Sequence, residues 1–275
     1  MPALVVSLVV SLVAVAVAVA SVAHAGAPAP SWRALAAGVD YAAFHDPAAP
    51  ADVVQVVRVD PKKAALRAVM ASAHDRRART AGTWCDAEHL VAAINLGMYL
   101  DDHVTNVGYA RAGAHVNQPR TLATYQSALV FGPRKPGLPA AALLDLDAPH
   151  ARERLADYDT VVQNLRLIRA PGVGVWSAEA RRWSEAAVAA DKAGRILFVF
   201  LRAPRTMAAF NKLLLALPLD VVAAMHVEGG PEASLSVRGP LHLDAAGSYE
   251  TGFNENDRVA AQWEIPNVLG VAAVH

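Results

Sequence analysis

The chain has 275 residues, with 25 basic side chains, 25 acidic side chains and a single cysteine. This balanced charge, without a stripe of Lys and Arg interleaved with aromatic residues, argues against a nucleic-acid partner. Cys85 has no second cysteine to pair with, so the fold depends on its hydrophobic core and not on internal disulfides. We expect Cys85 itself to be a buried small hydrophobe.

The first 25 residues are apolar, and they end in Ala23-His24-Ala25. Small residues on either side of position 24 form the pattern that signal peptidase accepts, so residues 1–25 are predicted to be a signal peptide. A retained membrane anchor is the alternative, because the run is long enough to span a bilayer. Cleavage would leave a periplasmic or secreted protein without a stable membrane span, in which residues 26–50 lead into one domain over 51–275.

Apolar segments in the first part of the domain predict strands. Residues 52–60 and 64–72 flank a short turn and predict two antiparallel strands. The apolar stretch 90–94 predicts a buried strand or short helix that delivers Asn95 to a loop. In that loop, Gly97 allows close approach of the backbone.

The second half of the chain predicts a continuous series of elements. In chain order they are a strand over 160–168, a hairpin around 191–194, a strand over 195–201, a helix over 206–217 and a strand over 219–227. Thr206 is the predicted N-cap of the helix. Strand, helix and strand in this order imply a parallel βαβ crossover, so we predict an α+β fold with a mixed sheet. Ligands bind beyond the carboxyl ends of parallel strands, which places Glu228 at a functional position.

Three short stretches resemble the motifs of one enzyme family. They read AINLGMY at 93–99, MHVEGGPEAS at 225–234 and IPNVLGV at 265–271. In this order and at these spacings they resemble the phosphodiester glycosidase family, over roughly residues 50–275. The resemblance implies that family's fold, hydrolysis of a sugar-containing substrate, and a carbohydrate or sugar phosphate as the binding partner.

The same motifs imply substrate-binding residues. The resemblance assigns this role to Gly97, Tyr99, Gly229, Gly230, Ser234 and Asn267. One departure concerns residues 184–189, which read SEAAVA. Many family members carry an arginine where this chain has Glu185. If that arginine binds the phosphate of the substrate, this contact is not expected here, and the substrate can differ from the family's.

Glycosidic cleavage usually requires two carboxyl groups, one to protonate the leaving oxygen and one to act as nucleophile or to activate water. Glu228 and Glu185 are the candidates, because burial beside apolar segments would raise the pKa of each carboxyl group. A structural role in the turn is the alternative for Glu228. Asn95 and the glycine amides are candidate donors to an oxyanion or phosphate, and closing its own turn is the alternative for Asn95.

In two further pairs of candidate residues, the members are two positions apart on a predicted strand and therefore point to the same face. His226 precedes Glu228 and is a candidate proton carrier or sugar contact, with a hydrogen-bonded core histidine as the alternative. Asn164 and Arg166 form the second pair, and both are candidate substrate-binding residues. Arg166 could hold a phosphate or carboxylate by a bidentate contact, with an ordinary solvent-facing strand edge as the alternative.

A loop with the sequence Asp101-Asp102-His103 offers oxygen and nitrogen ligands for a divalent cation. Adjacent polar residues in a loop are also often simply solvated. We therefore assign no metal ligand, and the sequence requires no cofactor.

These observations predict an exported hydrolase that cleaves a glycosidic bond of a sugar-1-phosphodiester or of a related envelope glycan. The alternative is a non-catalytic glycan-binding module with the family fold, which the altered motifs suggest. The two hypotheses differ in geometry. The enzyme requires Asn95, Glu185, Glu228 and Asn267 to converge in one cleft.

Overall fold

The computed structural model describes residues 31–177 and 179–273, so the predicted signal peptide lies outside the described residues. Within these ranges the strands are β1 (Arg33–Ala36), β2 (Val39–Asp46), β3 (Ala49–Val59), β4 (Ala64–Met70), β5 (Ala92–Asn95), β6 (Ala110–Ala112), β7 (His115–Gln118), β8 (Ser127–Pro133), β9 (Ala141–Asp145), β10 (Tyr158–Arg169), β11 (Val173–Gly174), β12 (Trp183–Asp191), β13 (Ile196–Arg205), β14 (Val221–Gly229), β15 (Ser234–Val237), β16 (Leu243–Ala246) and β17 (Asn267–Ala273). The helices are α1 (Ala81–Glu88) and α2 (Met207–Ala216). Neither helix in this part of the chain is long and apolar enough to cross a bilayer.

The strands form two sheets, and the class is α+β. The larger sheet has 12 strands, and its main path runs β1-β2-β3-β13-β12-β14-β10-β6-β7. β8 and β11 pair with β10, and β9 pairs with β8. The smaller sheet has 5 strands in the order β16-β15-β5-β17-β4.

The predicted mixed sheet is wrong, because every strand pair in the described part of the chain is antiparallel. The predicted succession of β13, α2 and β14 does form, and Thr206 caps α2 by accepting a hydrogen bond from the N–H of Ala209. However, β12 pairs with both β13 and β14 and lies between them. Strands β13 and β14 are therefore not neighbours in the sheet, and each of them pairs antiparallel with β12.

The first predicted turn joins the two sheets instead of closing a hairpin. In this turn, between β3 and β4, the N–H of Ala64 donates to the carbonyl of Asp60 at 3.0 Å. β3 pairs with β2 and β13 in the larger sheet, whereas β4 pairs with β17 in the smaller one. The start of the domain also differs from the prediction, because β1 and β2 belong to the larger sheet and lie before residue 51.

A shared hydrophobic core lies between the two sheets. Val57, Val188 and Phe198 of the larger sheet form one cluster with Ile94 and Leu269 of the smaller sheet. Each of these side chains is at most 1% exposed. Burial of a side chain of this kind contributes about 1.5–3 kcal/mol. This layer therefore fixes the two sheets against each other.

Helix α2 covers the opposite face of the larger sheet. Phe210 and Leu214 of the helix cluster with Leu197 and Val199 of β13. Successive side chains of a strand point to opposite faces, so β13 feeds both cores at once. The larger sheet is the middle layer of three, and most residues of its strands β12, β13 and β14 are buried.

Helix α1 carries the single cysteine. Thr80 caps the helix by accepting a hydrogen bond from the N–H of Thr83 at 3.1 Å. Cys85 is 1% exposed in a third cluster, and burial raises the pKa of its thiol to about 12. A thiol with so high a pKa is a poor nucleophile. The prediction that Cys85 is a buried hydrophobe is confirmed.

Candidate active site

A cleft of about 410 Å³ opens at the end of β14, beside β12. Its wall contains three of the predicted site residues: His226, Glu228 and Gly229. The rest of the wall consists of Met98, Leu165, Trp176, Glu179, Ala180, Arg181, Trp183, Met207 and Glu250. Such a mixture of aromatic, apolar and ionisable side chains is typical of a site for a small organic ligand.

Two neighbouring strands place the ionisable groups together. His226 and Glu228 of β14 both line the cleft, although the register between β12 and β14 is irregular between them. Glu185 of β12 lies opposite Gly229 in the antiparallel register. The strand pair therefore brings two carboxyl groups and an imidazole close together, although they come from separate parts of the chain.

His226 and Glu185 form a buried hydrogen-bonded pair. Nδ1 of His226 lies 2.9 Å from Oε2 of Glu185, and the two side chains are 4% and 0% exposed. Burial raises the pKa of Glu185 to about 6, although the charge and the hydrogen bond of His226 act in the opposite direction. Because Nδ1 is engaged, Nε2 is the ring nitrogen left for the cleft. Glu185 influences the cleft through His226 and does not line it.

Glu228 is a buried carboxyl group in the cleft wall. Burial raises the pKa of Glu228 well above its usual value, and the negative charges of Glu232 and Glu250 raise it further. The N–H of Gly229 donates to its Oε1 at 3.1 Å and opposes the shift. The net result is a carboxyl group that keeps its proton to a higher pH, as a general acid requires.

Two tyrosines lie near enough to Glu228 to be affected by its charge. Burial raises the pKa of Tyr99, and the charges of Glu228 and Glu232 raise it further. Burial also raises the pKa of Tyr125 to about 12, with a smaller contribution from Glu228. Both phenols therefore stay protonated at neutral pH and can donate hydrogen bonds. Tyr99 belongs to the predicted set, whereas Tyr125 lies in none of the three motif stretches and was not predicted.

The two glycines after Glu228 are required by close packing. A Cβ atom on Gly229 would lie 2.6 Å from Cδ1 of Trp183. Gly230 has a φ of +69°, and a Cβ atom there would lie 2.6 Å from Oε2 of Glu250. The amide of Gly229 already donates to Glu228. This amide therefore binds the protein's own carboxyl group, and its role as a phosphate donor stays a prediction.

Asn95 binds the loop beside the cleft and does not line the cleft. Its Nδ2 donates to the carbonyl of Glu232 at 3.0 Å, and its Oδ1 accepts from the N–H of Ser234 at 2.8 Å. Asn95 and Ser234 are both buried. Together Asn95 and Ser234 hold the turn that carries Glu232, which is a structural role. The role of Asn95 as an oxyanion donor and that of Ser234 as a substrate contact stay predictions.

Three other predicted residues pack inside the protein and do not line the cleft: Gly97, Asn164 and Asn267. Nδ2 of Asn267 donates to Oδ1 of Asn106 at 2.8 Å, and Nδ2 of Asn164 donates to the carbonyl of Leu96 at 2.9 Å. A Cβ atom on Gly97 would lie 2.5 Å from Oδ1 of Asn164. Gly97 thus permits a close approach, as predicted, but to an asparagine of the same chain.

Arg166 is committed to an internal ion-pair cluster. Its side chain is 9% exposed, and Nη1 pairs with the carboxylates of Asp145 and Asp147. Nη2 donates to Oε1 of Gln126 at 3.2 Å. Two carboxylates already neutralise this guanidinium, which gives Arg166 a structural role. Its role in holding a phosphate stays a prediction.

The loop considered for a cation is organised by its own hydrogen bonds. Oδ1 of Asp102 accepts from the N–H groups of Val104 and Thr105, at 3.0 Å and 2.8 Å. Among residues 31–177 and 179–273, no group of three or more His, Cys, Asp or Glu side chains is arranged to hold a metal ion.

A family model described as phosphodiester glycosidase matches residues 88–272. The chain belongs to the phosphodiester glycosidase family. The match includes all three motif stretches, at 93–99, 225–234 and 265–271, and the resemblance found in the sequence is confirmed.

Two solved structures share the fold of this phosphodiester glycosidase family member. A hypothetical protein from Synechocystis has a TM-score of 0.66 and 14% identity, and the match covers 91% of this chain and 65% of that chain. The zebrafish N-acetylglucosamine-1-phosphodiester alpha-N-acetylglucosaminidase catalytic domain, auto-inhibited by its pro-peptide, has a TM-score of 0.60 and 12% identity, with 91% and 86% covered. No curated protein sequence matches this chain. At these identities, the structural similarity establishes the fold alone.

Four ionisable residues in or beside the cleft fall outside the predicted set: Glu179, Arg181, Glu232 and Glu250. Nη2 of Arg181 lies 3.3 Å from Oε1 of Glu250. Oε2 atoms of both Glu232 and Glu250 lie within 3.4 Å of the position that a Cβ on Gly230 would take. Most of these four side chains lie in connecting segments, where the sequence shows no helix or strand periodicity that could have indicated them. Glu232, two residues after the Gly-Gly pair, is the one that a motif could have indicated.

The structural role of Asn267 in this family member is testable. Its Oδ1 accepts from the N–H of Ala71 at 3.2 Å in a buried setting, and loss of such a partner costs about 1–3 kcal/mol. We expect Asn267→Ala to lower the free energy of unfolding in urea by that amount. The KM for any substrate that is turned over should stay within about twofold of the wild-type value. A stable variant with a large rise in KM would instead return Asn267 to the substrate-binding set.

Proposed function

We propose that the protein is an exported hydrolase that cleaves a glycosidic bond of a sugar-1-phosphodiester or of a related envelope glycan. One observation carries the proposal. A buried carboxyl group with a raised pKa, Glu228, shares the cleft wall with His226, whose imidazole is held by Glu185. Membership of the phosphodiester glycosidase family supports a carbohydrate-type substrate.

The geometry suggests distinct roles for the three groups. Glu228 donates its proton to the leaving oxygen of the scissile bond. Nε2 of His226 takes a proton from the water that attacks the anomeric carbon, while the carboxylate of Glu185 accepts the Nδ1–H bond and stabilises the imidazolium that forms. Return of this proton from His226 to Glu228 through solvent restores the starting state. In this scheme Glu185 is a positioning residue and not a second acid.

Several cleft residues are suited to holding a sugar. Trp176 and Trp183 line the cleft together with Met98 and Leu165. Aromatic and apolar side chains of this kind pack against the apolar face of a pyranose ring. Tyr99 does not line the cleft, but it lies near enough to feel the charge of Glu228, and its phenol can donate a hydrogen bond to a hydroxyl group of a bound sugar.

Export is part of the same proposal. The apolar residues 1–25 with the small residues at Ala23 and Ala25 support cleavage by signal peptidase and a periplasmic or secreted product. Mass spectrometry of the protein recovered from the periplasm or medium tests this point. A chain that still carries residues 1–25 in the membrane fraction would contradict it.

A binding module is the second candidate function. The observation that favours it is that Asn95 and Asn267 bond to the chain's own backbone and side chains and lie outside the cleft. Of the four residues whose convergence the enzyme hypothesis requires, only Glu228 lines the cleft, and Glu185 reaches it through His226. A glycan could then be held between Trp176 and Trp183 without being cleaved.

Release of free sugar by the purified mature protein separates the two functions. The panel consists of nitrophenyl glycosides and sugar-1-phosphodiesters of common hexoses and their N-acetyl derivatives. Turnover of any member supports the hydrolase. Saturable binding of a glycan without turnover across the panel would favour the binding module.

A further inference from the structure

The ionisable groups that line the cleft are predominantly acidic. Glu179, Glu228 and Glu250 supply three carboxyl groups, of which Glu228 keeps its proton, against a single guanidinium, that of Arg181. His226 is the remaining ionisable residue of the lining. Glu232 adds a fourth carboxyl group close behind, because its charge acts on Glu228. An anion entering the cleft meets more negative than positive groups, and like charges at short range oppose binding.

The arginine of the cleft is already engaged. Nη2 of Arg181 lies 3.3 Å from Oε1 of Glu250, and its guanidinium carbon lies 5.6 Å from the centre of the Trp183 ring. The guanidinium keeps other N–H donors, but the adjacent Glu250 carboxylate offsets its positive charge for an incoming anion. A sugar hydroxyl carries no charge and meets no such opposition.

Other groups that could receive a phosphate are occupied by the protein itself. The N–H of Gly229 donates to Glu228. Nδ2 of Asn95 donates to the carbonyl of Glu232, and Arg166 is paired with Asp145 and Asp147. Tight binding of phosphate normally depends on several free donors of these types.

We infer that, of the two substrate classes in the proposed function, the cleft takes the glycan without negative charge at the scissile linkage and discriminates against the phosphodiester. This inference rests on the proposed function. A free amino group on the flanking sugar should strengthen binding, because an ammonium group complements Glu179 and Glu250.

Matched substrates give the first test. For each hexose of the panel, kcat/KM is measured for the nitrophenyl glycoside and for the corresponding sugar-1-(nitrophenyl phosphate) diester, at pH 7 and fixed ionic strength. We expect the uncharged glycoside to be favoured by about 100-fold or more, the scale of like-charge juxtaposition in a binding site. Equal values, or a preference for the diester, would overturn the inference.

The variant Glu250→Gln gives the second test, because it removes a cleft carboxylate and releases Arg181. We expect the ratio of diester to glycoside kcat/KM to rise about tenfold. Glu153→Gln is the matched control: Glu153 is 77% exposed, pairs with His150, and does not line the cleft. It loses the same charge, and its ratio should stay at the wild-type value. An unchanged ratio in Glu250→Gln would count against the inference.

Binding measurements keep this inference separate from the proposed function. If no substrate is turned over, the hydrolase proposal fails, but calorimetry still compares methyl glycosides with the corresponding sugar-1-phosphates. A Kd for the sugar-1-phosphate at least tenfold higher than that for the methyl glycoside supports the inference that the cleft prefers an uncharged ligand. Tighter binding of the phosphate overturns the inference in either case.

Discussion

Replacement of Glu228 by glutamine is expected to lower kcat by about 10²–10⁴-fold, the range that a positioned general acid contributes. The amide keeps the shape of the side chain but has no acidic proton to give to the leaving oxygen. Steady-state kinetics on the best nitrophenyl glycoside measures the loss. A leaving group of low pKa needs less protonation, so the loss should be smallest for dinitrophenyl glycosides.

The same variant should be at least as stable as the wild type. Burial and neighbouring carboxylates raise the pKa of Glu228 in the folded state, so folding favours its protonated form. The stability associated with this proton is present at low pH and is lost as the pH rises through the raised pKa. Because glutamine stays neutral, the Tm of the variant should equal or exceed that of the wild type, with a gap that widens as the pH rises. Full activity, or an unfolded variant, would contradict the role of Glu228.

Replacement of Glu185 by glutamine is expected to lower kcat by about 10²-fold, with little change in KM. The side chain does not line the cleft, and it acts by holding Nδ1 of His226 at 2.9 Å. The pKa of Glu185 is raised to about 6, so its carboxylate form is lost below that pH. Wild-type kcat should therefore fall on the acid side of about pH 6, and this limb should be absent from the variant's profile.

A double-mutant cycle tests whether Glu185 acts through His226. His226→Gln alone should cost about as much as Glu185→Gln, and the combined variant little more than either, because residues that act as a unit are not additive. Partial recovery in Glu185→Asp would indicate that the carboxylate matters more than its exact position. Independent, multiplicative losses would instead make Glu185 a separate contributor to stability or binding.

Local elements of this fold could be read from the sequence because their signals are local. The apolar run 195–201 and the turn at 191–194 predict β13 and its hairpin with β12. Thr206 before an amphipathic segment predicts the start of α2, and its hydroxyl does cap the helix. The strand ending in Asn95 is likewise defined by its own apolar run.

Strand order and sheet membership could not be read in the same way, because they depend on distant partners. The turn from β3 to β4 has the sequence of a hairpin, yet β4 finds its partner in β17, at the other end of the chain. Similarly, a strand–helix–strand succession suggests adjacent parallel strands, but the pattern contains no information that β12 lies between them.

The candidate site was predictable where the chemistry lies on a motif strand. His226, Glu228 and Gly229 all line the cleft. The predicted donors were not separable from structural residues, because a buried asparagine that bonds to its own backbone has the same sequence as one that faces a ligand. Asn95 and Asn267 illustrate this limit.

The cleft is built from two kinds of segment, a core strand and the connecting segments around it. The residues proposed to react, His226 and Glu228, lie on a strand in the middle of the larger sheet, between two hydrophobic cores. Glu179, Arg181 and Glu250 lie in connecting segments at its edge. Connecting segments accept substitutions and insertions far more readily than core strands do. If the proposed hydrolysis holds, this division lets mutation change the substrate preference while the reacting groups are kept, so relatives with the same β14 residues would differ in their substrates.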